Sequence, residues 1–197
     1  MQLGRISLID AMATGALRAY RGPDLLGHGD LVIGTNSIDV TLSDKFARIR
    51  ATDPEVGIDP WDPLSLTVES FAAERYTLEP GECLLGCTRE RFEVSPGAIT
   101  LKGHPVDVAP MYDGRSTCGR LFLASHITAG YGDVGFQSAW TLELKNMSSN
   151  RLVLRAGMRI GQVSFHVVVG GVGKAYHGAY TDQHEGPRAP ALGKERF

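Results

Sequence analysis

From residue 36 onward the chain is a succession of short apolar or alternating segments, each cut off by a turn signal. Asn36 to Ser43 alternates, with Ile38, Val40 and Leu42 on one face, the pattern of a half-buried strand. Further strand candidates are Leu66–Ser70, Arg75–Leu78, Cys83–Thr88, Ala98–Leu101, Arg120–His126, Ala139–Leu144, Arg151–Leu154 and Gly161–Val169. Breaks fall at Glu79-Pro-Gly, Ser95-Pro-Gly, Asn146 to Asn150 and Arg155-Ala-Gly. Twenty-four glycines and 10 prolines in 197 residues suit many turns better than long helices. Such spacing predicts an all-β (mainly β) barrel or sandwich in a single domain, with no internal repeat.

Outside this series, Arg5 to Leu17 has helical spacing, with Ile6, Ile9, Ala13 and Leu17 on one stripe and Gly15 weakening the end. It is the one helix the sequence predicts. Arg18 to Gly34, punctuated by Gly and Pro, reads as irregular loop, and Arg48 to Pro63 as a surface excursion. After Gly170 the pattern dissolves, so residues 171–197 are expected to be a flexible tail or a lid ordered by ligand.

A net charge of −2 gives no global field for nucleic acid, so an anion site must be a local cluster. No apolar run reaches the roughly 20 residues of a membrane span, and the N-terminus lacks a signal-peptide core; the expected location is cytoplasmic. Cys83, Cys87 and Cys118 are odd in number and lack the partners of a zinc site. Cys83 and Cys87 share a strand face and read as small core residues, and packing is also the expectation for Cys118.

Chemistry-bearing residues concentrate between Asp113 and Asn146. In Gly114-Arg-Ser-Thr-Cys-Gly-Arg120, small residues let the backbone approach a ligand, and Arg115 and Arg120 offer planar forks that match phosphate or carboxylate. Composition alone favours a turn with two solvated arginines. Glu143 stands between Leu142 and Leu144 and faces away from both. It is an ordinary solvated carboxylate if that face is open. If the face is covered it needs a cation, Arg115 or Arg120 being the natural partner. Asp133 lies in a glycine-rich loop, where a turn hydrogen bond competes with contact to a sugar or a water. His126 ends an apolar strand candidate and reads as a hydrogen-bonded, partly buried histidine.

Taken together, the segment resembles the deoxycytidine triphosphate (dCTP) deaminases, which share a fold with the trimeric dUTP diphosphatases. Three further motifs follow in family order: Asn36-Ser-Ile-Asp-Val-Thr-Leu, Leu78-Glu-Pro-Gly-Glu-Cys-Leu-Leu-Gly-Cys-Thr and Arg155-Ala-Gly-Met-Arg-Ile-Gly-Gln-Val. The resemblance implies a dUTPase-like distorted barrel with a short N-terminal helix, assembled as a homotrimer with nucleotide sites between subunits. It implies metal-free hydrolytic deamination of dCTP to dUTP and ammonia. Glu143 would be general base and then general acid, and Ser116 and Arg120 would position the water and the glutamate. Nucleotide contacts would come from Arg115, Ser116, Thr117, Gly119 and Arg120, from Asp133 at the sugar, from Thr141 and Leu142 along the base, and from Gln162, Tyr176, Tyr180 and Gln183. Zinc deaminases need an H-x-E motif with a downstream P-C-x-x-C, and the sequence has neither.

One subgroup of the family also releases pyrophosphate, and His126-Ile-Thr-Ala-Gly-Tyr131 has its motif form. There Ala129, Gly130 and Tyr131 would decide bifunctionality. The small Gly130 would leave room for a second water, with Asp133 orienting it and magnesium arriving on the triphosphate. The sequence departs from the family at Gly132, at Val134 to Ser138, at Phe122 where glycine is usual, at an insertion over Ala98 to Val108, and at Ala179 where a phosphate-binding lysine is expected. These departures leave two alternatives: a dUTP diphosphatase without deaminase activity, and a non-catalytic nucleotide-binding or regulatory homologue.

Overall fold

The computed structural model describes residues 1–184 and 186–192. Its first element is helix α1, Arg5–Ala13. Gly15, at φ +74°, and Thr14 close it through N–H bonds to Met12 O and Asp10 O. The helix is four residues shorter than its sequence pattern suggests, because Leu17 already begins strand β1, Leu17–Arg21. Its buried side is Leu8 and Ala11 rather than the expected stripe, and Ile6 is 77% exposed. β1 pairs antiparallel with β2, Asp24–Leu26, so the segment expected to be loop opens with a hairpin turned by Gly22 and Pro23.

The predicted alternation holds in β3, Ile38–Thr41, with Ile38, Val40 and the following Leu42 fully buried. β4, Lys45–Ala51, and β5, Leu66–Ala72, form a second hairpin. The surface excursion therefore begins only after β4. β6, Arg75–Leu78, is as expected, and β7, Cys83–Val94, runs on past its predicted end at Thr88. β8, Ile99–Leu101, and β9, His104–Gly114, make the apparent insertion into a hairpin turned at Lys102-Gly103, both with positive φ.

Strand was predicted across Arg120–His126. The chain instead forms helix α2, Ser116–Arg120, a turn, and β10, Leu123–Ala124. The turn's Phe122 is 60% exposed at φ +59°, the backbone region glycine favours, at the position where the resemblance expects glycine. β11, Ala139–Asn146, β12, Leu152–Arg155, and β13, Arg159–Val168, complete the fold.

One sheet has the order β10-β11-β7-β1-β2, with β4 joining β7 and carrying β5. A second has the order β3-β13-β9-β8, and β12 pairs with β6. The all-β expectation with a short N-terminal helix is borne out. The core between the sheets holds Phe46, Tyr112, Phe165, Leu142, Leu144 and Ile160, each at most 1% exposed. Burying one such aliphatic side chain contributes roughly 1.5–3 kcal/mol. Leu142 and Leu144 thus fix which face β11 turns inward, since a one-residue slip would bury Thr141 and Glu143 instead.

Cys87 and Cys118 are buried as expected, but Cys83 is exposed at the start of β7, where Lys145 Nζ lies 3.4 Å from its Sγ. Among the described residues no helix is long and apolar enough to cross a membrane.

Candidate active site

Two neighbouring strands, β7 and β11, supply the floor of a cavity of about 320 Å³. Leu85 and Glu143 are cross-strand partners there, and Thr141 and Glu143, two residues apart on β11, present side chains to the same side. Glu143 is half-buried, and its Oε2 accepts a hydrogen bond from Ile127 N at 3.0 Å. Among the described residues no cation pairs with it, so the expected ion pair with Arg115 or Arg120 does not form within the chain.

The remaining walls come from the loop after β10 and from the C-terminal tail. Ala129, Tyr131 and Asp133 contribute one side, and Tyr176, Tyr180, Gln183, Arg188 and Pro190 the other. The tail is held by a polar network at the strand. Gln183 N donates to Ser138 Oγ at 3.0 Å, Ala139 N donates to Gln183 O at 3.0 Å, and Ser138 Oγ donates to Tyr180 O at 2.9 Å. Thr141 Oγ1 donates to Gln183 Oε1 at 3.0 Å and accepts from Arg188 N at 3.0 Å. Gln183 is only 7% exposed as a result. Tyr176, Tyr180, Gln183, Arg188 and Pro190 of the tail therefore cover the cavity in this conformation. Sequence reasoning missed Arg188, which no local pattern marks and which is the one arginine among the described residues that line this cavity.

The glycine-rich loop groups lie elsewhere. Asp39, Asp113, Gly114, Arg115, Ser116, Gly119, Ser125, His126 and Gln162 line a separate, more open cavity of about 520 Å³, which shares no lining residue with the first. Its floor is a row across three strands: Asp39 on β3, Gln162 on β13 and Asp113 on β9 are successive cross-strand partners. Ser37 Oγ donates to Gln162 Oε1 at 3.0 Å. Arg115 Nη1 is hydrogen-bonded to Asp39 Oδ2, and Arg159 Nη1 reaches the same oxygen at 3.2 Å. Ser116, Thr117, Gly119 and Arg120 are exposed on α2 or at its end, and Thr117 and Arg120 line neither cavity.

Two groups have evident structural reasons. Gly130 O accepts from Tyr112 N at 2.7 Å, and Gly132 N donates to Pro110 O at 2.9 Å, so residues 130–132 run along β9. A Cβ on Gly130 would lie 2.5 Å from Tyr112 O and 3.3 Å from the His126 ring. The missing side chain thus serves backbone pairing; Ala129 and Tyr131, and not Gly130, line the Glu143 cavity. Tyr112 is fully buried and donates to Ser125 Oγ at 2.9 Å; burial pushes its phenol well above the usual range. His126 packs edge-on against it, with Nε2 3.5 Å from Asp113 Oδ1 and a buried Nδ1 that has no partner among the described residues.

A family model described as "dCTP deaminase-like" matches residues 7–168, a span that includes both cavities' strand and loop residues. A protein of Clavibacter michiganensis subsp. michiganensis named "dCTP deaminase, dUMP-forming" is 38% identical over 165 residues, 82% of this chain and 77% of its own. One of the same name from Pseudarthrobacter chlorophenolicus is 35% identical over 170 residues, 84% of this chain and 83% of its own. Among solved structures, the 2'-deoxycytidine 5'-triphosphate deaminase from Agrobacterium tumefaciens superposes with a TM-score of 0.58 at 16% identity. That match covers 85% of this chain and 48% of the other, so this chain spans about half the length of that protein. It bears out the fold, and the matches over most of the sequence show that the chain belongs to the dCTP deaminase-like family.

Proposed function

We propose that the protein hydrolyses dCTP, first at C4 of the cytosine and then at the triphosphate, releasing ammonia, pyrophosphate and dUMP. The observation that carries this reading is Glu143 on the floor of a covered cavity, with Thr141 beside it on the same strand face. The relatives' printed name, dUMP-forming dCTP deaminase, supports the second step.

In the first step the Glu143 carboxylate takes a proton from a water whose oxygen adds to C4. The C4–N4 bond then breaks as the same carboxyl returns that proton to the departing amine, giving ammonia and dUTP. Positioning a water this way converts a bimolecular encounter into a local one, which is where most of the rate gain would arise. Thr141 would border the base and Asp133 the sugar, and Tyr176, Tyr180 and Gln183 would close the site from the tail. The Leu142 side chain, expected along the base, turns into the core instead and leaves only its backbone for that edge. In the second step a water adds to the α-phosphorus and pyrophosphate leaves. Among the described residues no three His, Cys, Asp or Glu side chains converge as a metal site. A magnesium ion would be held chiefly by the substrate's own phosphate oxygens, and Asp133, which lines the cavity along with Glu143, would orient the attacking water.

Ser116 and Arg120 stand outside the Glu143 cavity of their own chain. A second copy would have to bring its α2 loop, with Arg115, Ser116 and Arg120, against Glu143. This favours a homo-oligomer, the trimer that the family resemblance implies, with sites between subunits. Incubating purified protein with dCTP and magnesium and resolving the products tests the reading. dUMP with ammonia and pyrophosphate is expected; dUTP alone would remove the second step. Hydrolysis of dUTP with no action on dCTP would reassign the protein as a diphosphatase, and binding without turnover would make it a regulatory homologue.

A further inference from the structure

We infer that Asp39 is a positioning residue for Arg115, holding its guanidinium at the rim of the open cavity in the orientation that receives a polyphosphate. The inference rests on the functional reading above only for the nature of the anion.

Asp39 sits on β3, only 15% exposed at its side chain, and one carboxylate oxygen takes both Arg115 Nη1 and Arg159 Nη1. The three residues come from three adjacent segments of one sheet. Asp39 is on β3, Arg159 opens β13, and Arg115 follows β9, where its own N–H reaches back to Ile160 O at 3.4 Å. Asp39's cross-strand partner Gln162 lines the same cavity and is itself fixed by Ser37. The carboxylate is thus set by the pairing of β3 with β13, whereas the Arg115 guanidinium stands at the end of a long side chain.

Two guanidiniums share one carboxylate, which leaves N–H donors of Arg115 for a ligand at the rim, while Asp113, lining the same cavity, offsets the positive charge there. Without its anchor an arginine loses up to about 2 kcal/mol of rotamer entropy on binding an anion, and a held fork loses less. Asp39 also repels an incoming anion. That opposing charge is largely buried and already neutralised by two guanidiniums, so the repulsion it leaves is small, although salt screens it little. The positioning effect therefore decides the sign.

The test is binding of inorganic tripolyphosphate at about 0.3 M salt to the wild type, Asp39→Asn, Arg115→Ala and the double variant, with thermal melting in parallel. Asp39→Asn is expected to weaken binding about tenfold. The double variant should bind no more weakly than Arg115→Ala alone, because Asp39 favours the anion only through Arg115. Its own charge opposes binding, and Arg159, which it also holds, lines neither cavity. In turnover of dCTP, Asp39→Asn should raise KM and leave kcat within about twofold. Unchanged tripolyphosphate binding in Asp39→Asn, or full additivity in the double variant, would overturn the inference. Because the probe needs no turnover, that result is separate from any failure to act on dCTP.

Discussion

Thr141 and Gln183 are joined by a hydrogen bond of 3.0 Å, from a strand residue two positions before Glu143 to a buried glutamine of the C-terminal tail. The same threonine oxygen accepts the N–H of Arg188. One hydroxyl therefore ties both Gln183 and Arg188 to the strand that carries the candidate proton carrier. Opening or closing the cavity and aligning the base edge draw on a shared set of contacts.

Replacing Thr141 by Val removes both bonds while keeping the shape. Each is worth about 0.5–1.5 kcal/mol net. The expected result is a tail that is cleaved several-fold faster at Arg188 by trypsin, with a raised KM for nucleotide and a Tm close to that of the wild type. Unchanged cleavage would show that Ser138 and Ala139 hold the tail without it.

Gly130→Ala should cost roughly 1–3 kcal/mol, since its Cβ would meet the Tyr112 carbonyl at 2.5 Å and the neighbouring strands are packed. For a chain of this length that is a fall of about 2–12 °C in Tm by calorimetry. A loss of pyrophosphate release with an unchanged Tm would contradict this and favour a steric role at the phosphates.

How far the sequence could be read follows from where its signals are local. Glu143 was legible because Leu142 and Leu144 fix the inward face of β11, and Ile38, Val40 and Leu42 did the same for β3. β9 was missed because Pro105 and Pro110 interrupt it, although β9 lies between β8 and β13 and needs neither proline's missing N–H to keep its register. β4 was missed because its alternation carries Lys45, Arg48 and Arg50, of which Arg48 reaches out to Glu69 and Glu82 and Arg50 to Glu69. The hairpin β1–β2 was hidden by Gly22-Pro23, a turn rather than a loop. The separation of Glu143 from Arg115 and Ser116 into two cavities is a property of the whole topology, and no local pattern encodes it.

Ionisation of buried groups sets the alkaline limit. Burial pushes the Cys87 thiol up from 9.0 to about 11 and raises the Tyr112 phenol as well. In the unfolded chain the thiol loses its proton from about pH 8.5 upward, while the folded chain keeps it. The unfolded state then binds fewer protons, so stability falls as pH rises through 9 to 11. Urea unfolding from pH 7 to 10.5 should show this decline, and Cys87→Ala should flatten part of it. In the native protein at pH 8 a thiol reagent should label one equivalent, at exposed Cys83, with Cys87 and Cys118 reacting only on unfolding.

The most direct test of the account is Glu143→Gln, which keeps the size and the hydrogen-bonding capacity of the side chain but cannot take a proton from water. Ammonia release from dCTP should fall by at least about 100-fold, the usual contribution of a positioned acid–base group, while nucleotide binding by calorimetry stays within a few-fold of wild type. Deamination by Glu143→Gln at near wild-type rate would contradict the assignment of the proton-transfer step to this residue.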